Sequence, residues 1–211
     1  MKPLITSPLL ISQHIFIIDD SELITDFLDI RLSKMGYSTY VYQNAHDFLN
    51  EIPDVSPSIL ITDMNMPVMT GIELQNELVR LKRTMPVIFI SGESTITQYI
   101  TALKQGATEF LLKPLDKEQI KTAVEFAFKE ETQRLLYTSN KNALALKLNA
   151  LSPRERETYE LLILGYNNAE LANSLSLSLS TIKQYKAEVM RKLEVGSLSE
   201  LINLQHHSLN N

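Results

Sequence analysis

Five short apolar runs recur early in the chain: HIFII (14 to 18), YSTYVY (37 to 42), SILIT (58 to 62), PVIFI (86 to 90) and TEFLL (108 to 112). Each has the length and the β-branched or aromatic content of a strand. Between them the apolar positions change period. Leu23, Phe27 and Ile30, and later Leu74, Leu78 and Leu81, recur at three- and four-residue intervals, the spacing of a helix with one buried stripe. Strand and helix alternating in this way predict an α/β domain, a doubly wound five-stranded parallel sheet. From Asp116 a helical pattern runs through KEQIKTAVEFAFKEETQRLLY without Pro or Gly, so this helix is expected to project beyond the sheet.

After Leu151 no strand pattern remains. Four helical segments follow, separated by Gly165, by the run SLSLSLS, and by Val195-Gly196-Ser197, which predicts a small all-α domain. The SLSLSLS alternation has the period of a strand, but its place between two helical patterns favours a turn with a helix cap. The expected organisation is a sheet domain over 13–130, a helical linker over 131–149 and the helical domain over 150–211.

Composition narrows the chemistry. At 211 residues the chain accommodates two ordinary domains, and 44% hydrophobic with 21% charged residues suits folded domains rather than disorder. Without cysteine there is no disulfide, thiolate metal site or cysteine nucleophile. Neither a signal-peptide core nor a run approaching the ~20 apolar residues of a membrane span occurs, so a cytoplasmic location is expected. The net charge of −5 argues against an indiscriminate polyanion binder, which leaves local charge to decide.

In open parallel α/β sheets ligands sit at the carboxyl ends of the strands. There the chain carries Asp19-Asp20 after the first run, Asp63 after the third, Ser91-Gly92 after the fourth and Lys113-Pro114 after the fifth. If the strand order is 2-1-3-4-5, three carboxylates converge on one crevice. Such a cluster implies a counter-cation, and oxygen donors without His or Cys suit Mg²⁺. A divalent metal, the Lys113 ammonium and the Ser91 hydroxyl beside the Asp63 carboxylate make a complete set for phosphoryl transfer to that carboxylate.

These elements resemble a receiver domain of the CheY and FixJ kind, which is flavodoxin-like in fold. The matching residues are the acidic pair Asp19-Asp20, the motif ITDMNMPVMTGIEL with Asp63, the Ser91-Gly92 pair and FLLKPL with Lys113 before Pro114. The resemblance implies that Asp63 is the phosphoacceptor. By it Mg²⁺ is held directly by Asp20, Asp63 and the Asn65 carbonyl, with Asp19 acting through water. Ser91 and Lys113 would bind the phosphoryl group, Phe110 would be the aromatic switch residue, and the Lys113-Pro114 bond would be cis.

The segment from Leu151 to Val195 has helix starts and stops in order. Ser152-Pro153 with Glu155 forms a capping box, Gly165 ends the helix, Asn167 or Asn168 opens the next, and Ser180 is placed to cap the third. Over 150–211 six Lys and Arg face seven Glu, a net −1, yet Ser180 to Leu193 holds Lys183, Lys186, Arg191 and Lys192 against Glu188 alone. Charge alone also fits a solvated face. LSPRERE, Gly165, Asn167-Asn168, Leu171-Ala172, Leu175, Thr181-Ile182-Lys183, Val189 and Lys192-Leu193 resemble the LuxR/NarL-type helix-turn-helix. Tyr185 stands where His is common in that family, and Ala187 offers no cation. The resemblance makes Thr181, Lys183, Gln184 and Lys186 the expected DNA contacts, with Ile182, Val189 and Leu193 in the core.

Together the resemblances imply a two-component response regulator of the FixJ/NarL kind, not an enzyme. A partner histidine kinase would phosphorylate Asp63, and the protein would dimerise through the 93–130 face or the linker helix and bind operator half-sites on DNA. Rival readings remain. An aspartate-nucleophile phosphatase wants an acid two residues after the nucleophile, where Asn65 stands. A flavodoxin-like cofactor site wants a phosphate loop after the first strand, where Asp19-Asp20 would repel phosphate. A regulator that uses its receiver only as a dimerisation module stays open.

Overall fold

The computed structural model describes residues 12–92 and 106–209. Its first unit is built on five parallel strands, β1 (His14–Ile18), β2 (Ser38–Tyr42), β3 (Ser58–Asp63), β4 (Val87–Ser91) and β5 (Glu109–Leu112), in the order β2-β1-β3-β4-β5. His14 pairs with both Ser38 and Ser58, so β1, β2 and β3 start level and their carboxyl ends lie together. The central β3 is buried along all six residues, which is why it reads as an unbroken apolar run.

Alternation along the strands divides the core into two layers. Ile15, Ile17, Ile59, Ile61, Ile88 and Ile90 face α1 (Glu22–Lys34) and the first part of α4 (Lys117–Asn149). Phe16, Ile18, Leu60, Val87 and Phe89 face α2 (Ala45–Glu51) and α3 (Gly71–Arg80). The α/β class and strand order expected from the pattern are those observed.

The expected stripe on α1 is not. Leu23 is 83% exposed, and Phe27 and Ile30 also face solvent, while Thr25, Leu28 and Leu32 are buried. Two apolar stripes with helical spacing run along this helix, offset by one residue or about 100°. The stripe that meets the sheet is Ile24, Leu28 and Leu32, continued by Met35. On α3, Leu74 and Leu78 are buried as expected, but Leu81 follows the last helical turn and is 42% exposed.

The chain divides between Gln133 and Arg134, inside the 33-residue α4. In the first unit α4 buries Ile120, Ala123, Val124, Ala127 and Phe128. In the second, Leu144 and Leu148 at its far end pack with Leu162, Leu171, Ile182, Val189, Leu193 and Leu201. That second core is completed by α5 (Pro153–Ile163), α6 (Asn168–Leu175), α7 (Leu179–Leu193) and α8 (Leu198–Leu209). The last turn of α4 is further tied down by Lys147, whose Nζ lies 2.6 Å from Glu194 Oε2, and by Arg156, which donates to the Leu148 carbonyl.

Local chemistry sets the ends of these helices. Ser152 and Glu155 form the expected capping box, and Asn167 forms another with Glu170. Gly165 follows α5 with φ +88, a left-handed conformation that glycine adopts without Cβ strain. Ser178, rather than Ser180, caps α7, its Oγ accepting the Thr181 N–H at 3.1 Å. Leu177 turns toward the core after the left-handed Ser176 ends α6, so α7 begins earlier than the pattern suggests. The SLSLSLS run is thus a turn and cap.

Glu155 joins cap to core. Its carboxylate accepts the Ser152 N–H at 2.6 Å and the Lys192 ammonium at 2.6 Å, and the bond to Lys192, with that to Ser152, holds it below the usual carboxylate range. A depressed carboxyl stabilises the fold above its unfolded pKa, and this contribution is lost as pH falls through the folded value. Glu155→Gln is therefore expected to weaken protection of the α5 amides at neutral pH by about 1 to 2 kcal/mol. It should also flatten the loss of protection below pH ~4.3, as measured by hydrogen exchange on the full chain.

Candidate functional site: a lysine-bridged carboxylate pair and an exposed helix

The polar residues at the strand ends are brought together by parallel pairing. Asp63 closes β3, Ser91 closes β4, Asp19 follows β1 and Lys113 follows β5. Lys113 reaches back across the sheet end, with Nζ 2.8 Å from Asp19 Oδ2 and 2.7 Å from Asp63 Oδ1. The other Asp63 oxygen accepts the Asn65 N–H at 2.7 Å, and the other Asp19 oxygen accepts the Ser21 N–H at 2.9 Å. Asp19 is 1% exposed and Asp63 6%. Both carboxylates are thus removed from water and held by one shared cation.

Burial pushes the Asp19 carboxyl up, against the opposing pull of Lys113 and of the Ser21 N–H, with the Asp63 charge adding to the rise. Burial draws the Lys113 ammonium down, but its bonds to Asp19 and Asp63 outweigh this and hold it above its ordinary value. Asp20 is exposed and makes no hydrogen bond or ion pair with the described residues. Asp19, Asp20 and Asp63 against Lys113 carry three negative charges and one positive, a net −2 that one divalent cation balances. The all-oxygen donor set fits Mg²⁺. No three such groups converge as a preformed cage among the described residues, where Lys113 bridges Asp19 and Asp63.

Ser91 is fully buried, and its carbonyl accepts the Lys113 N–H at 2.8 Å, which ties the ends of β4 and β5 together. Phe110 is half-buried on β5 against the layer containing Phe89. The Lys113-Pro114 bond is cis.

Gly71 is a residue whose role the sequence pattern did not reveal. A Cβ there would lie 2.5 Å from the Asp63 carbonyl oxygen and 3.0 Å from the Phe89 ring. Its N–H also donates to the Met64 carbonyl at 3.0 Å, closing the loop that follows the Asp63 carboxylate. The signal was a lone glycine at the start of a helical pattern, which marks close backbone approach. Gly71→Ala is expected to displace the end of β3 and to destabilise the first unit by about 1 to 3 kcal/mol, as read from denaturant unfolding of the full chain. Unchanged stability would contradict the packing role.

In the second unit, Ile182, Val189 and Leu193 of α7 are buried, and Ser180, Lys183, Gln184, Ala187 and Arg191 face solvent. Thr181 is half-buried, its hydroxyl bonded to Ser178 Oγ at 2.8 Å within the cap, and Lys186 is half-exposed. The basic stripe is thinner than its composition suggests. Arg191 pairs with Glu188 at 2.8 Å, while Lys192 bonds Glu155 and the Ala150 carbonyl. Only Lys183 and Lys186 of the four cations make no ion pair with the described residues.

A parallel sheet with a buried, lysine-bridged carboxylate pair at its strand ends, followed by a helical domain presenting one capped helix, defines a receiver joined to a helix-turn-helix. Known proteins agree. Residues 15–125 match the response regulator receiver domain family, and residues 149–205 match the bacterial regulatory proteins of the luxR family. The transcriptional regulatory protein FixJ of Bradyrhizobium diazoefficiens is 31% identical over 90% of this chain and 93% of its own. The response regulator protein TodT of Pseudomonas putida is 31% identical over 90% of this chain and 84% of its own.

Among solved structures, the response regulator StyR superposes with a TM-score of 0.80 at 29% identity, covering 92% of this chain and 98% of its own. Full-length FixJ from B. japonicum gives a TM-score of 0.57 at 31% identity, over 92% and 96% of the two chains. The chain belongs to the two-component response regulators that carry a LuxR-type DNA-binding domain, a family of transcription regulators rather than enzymes. Among the described residues no helix is long and apolar enough to cross a membrane.

Proposed function

We propose that Asp63 accepts a phosphoryl group from a partner histidine kinase, and that the modification shifts dimerisation and sequence-specific DNA binding. The observation that carries this reading is the Lys113 ammonium shared between Asp19 and Asp63. A carboxylate buried at a strand end needs such a partner, and the same ammonium would stand beside a phosphoryl group transferred to Asp63.

In the transfer, an Asp63 oxygen forms a bond to phosphorus as the P–N bond of the kinase phosphohistidine breaks. The imidazole keeps the electron pair, and an acyl phosphate remains on Asp63. Bound Mg²⁺, held by Asp20, Asp63 and the Asn65 carbonyl with Asp19 acting through water, would neutralise charge on the transferred group. Lys113 orients the Asp63 carboxylate, and the Asn65 N–H fixes its second oxygen. Once Asp63 carries the phosphoryl group, that pattern of two bonds no longer holds. The Ser91 hydroxyl becomes the hydrogen-bond donor for the phosphoryl oxygens, and Phe110 follows as the switch residue on the neighbouring strand.

The change is read out at the 93–130 face or along α4, where a second copy docks. Residues 93–105 of that face lie outside the described residues. Among those described, Leu112 is exposed beside Glu109, Phe110 and Gln119, and Phe126 is exposed on α4, apolar surface of the kind that a partner covers. In the second unit, Lys183 and Lys186 supply phosphate contacts, and Thr181 and Gln184 approach the major groove at the start of the recognition helix. With only Lys183 and Lys186 of the α7 cations left without an ion pair among the described residues, binding depends on two copies occupying paired half-sites.

Incubated with Mg²⁺ and acetyl phosphate, the full-length protein is expected to gain one phosphoryl group by mass and to bind DNA more tightly, while Asp63→Asn does neither. Tighter DNA binding by Asp63→Asn under the same treatment would overturn the proposal.

A further inference from the structure

The recognition helix separates charge from neutral hydrogen-bonding groups. On the solvent face of α7, opposite Ile182, Val189 and Leu193, the exposed residues follow the helical period: Leu179, Ser180, Lys183, Gln184, Ala187 and Arg191. Arg191 is bound to Glu188 by both Nε and a terminal nitrogen, at 3.2 and 2.8 Å, and Lys192 is held by Glu155 and the Ala150 carbonyl. The middle of the face is therefore left to a neutral amide and a methyl, with Lys183 and Lys186 beside them. Gln184 is exposed, and its amide makes no hydrogen bond with the described residues. Ala187, three positions on, is its neighbour on the same face.

These groups have distinct complements on duplex DNA. An ammonium serves phosphate as a point charge. A primary amide offers one acceptor and one donor at the spacing of adenine N6 and N7, and an alanine methyl packs against the C5 methyl of thymine. Guanine is matched by a guanidinium or an ammonium; the one arginine on this face is paired with Glu188, and on the DNA-binding reading Lys183 serves as a phosphate contact.

We propose that Gln184 and Ala187 are the residues that set base preference, and that they read an A·T-containing step in the major groove. The Gln184 amide nitrogen donates to adenine N7, and its oxygen accepts from the N6 amino group. The Ala187 methyl lies against a thymine methyl of the adjoining pair. This inference rests on the DNA-binding reading of α7 and adds the base class that it recognises.

The test is selection from a randomised duplex pool by the full-length protein treated with Mg²⁺ and acetyl phosphate, run beside Gln184→Ala and Lys183→Ala. The wild type should recover sites with an A·T pair whose replacement by G·C weakens binding about five- to a hundredfold. Gln184→Ala should lose preference at that pair alone and keep the salt dependence of binding. Lys183→Ala should weaken binding to all sequences and lower the salt slope by about one contact.

Unaltered selectivity in Gln184→Ala, or a G·C pair at the position it ceases to discriminate, would overturn the base assignment and leave DNA binding intact. Failure of the wild type to retain any duplex would overturn the DNA-binding reading and this inference with it.

Discussion

The first unit is organised around one ammonium. Without Lys113, two carboxylates at the ends of β1 and β3 would be buried side by side with only backbone N–H groups to hold them. That arrangement is costly in a medium of low dielectric. The cost explains much of the surrounding construction. β5 must end where its next residue points back over β3, and the Lys113 N–H is anchored on the Ser91 carbonyl to place it there. Gly71 must lack a side chain so that α3 can start against the Asp63 carbonyl. A carboxylate pair held by one ammonium would be sensitive to one more anion, which would be the physical basis for the proposed switch.

The second unit solves a different problem, which is how to expose a helix face while holding its axis. Ile182, Val189 and Leu193 anchor α7, Ser178 caps its start, and Lys192 ties its last turn to the capping box of α5. Lys147 and Leu148 bring the end of α4 into the same core. The last turn of α4 therefore moves with the recognition helix, although the 131–149 segment reads as a linker.

Much of this was legible in the residues because parallel strands buried on both faces leave unbroken apolar runs, and their ends are fixed by the residues that follow. Asp19, Asp63, Ser91 and Lys113 are found by that rule alone, and the motif around Asp63 supports them. The burial of α1 was not legible, because Leu23-Phe27-Ile30 and Ile24-Leu28-Leu32 both recur at helical intervals and only tertiary packing selects between them. The start of α7 was ambiguous among alternating serines, where any hydroxyl has the chemistry of a cap. The true extent of the basic stripe was hidden as well. Arg191 and Lys192 count as charges in a sequence, and only the fold reveals that Glu188 and Glu155 already hold them.

The most direct test of the Lys113-bridged site as a switch is hydrogen exchange of the full-length chain in Mg²⁺, with and without acetyl phosphate. Phosphorylation of Asp63 would disturb the bonds to the Asn65 N–H and to the Lys113 ammonium together. Exchange in the loop 64–70 and in the segment 109–116 should therefore change in concert in the wild type and stay constant in Asp63→Asn. A phosphorylated wild-type protein whose exchange is unchanged in both segments would contradict the switch.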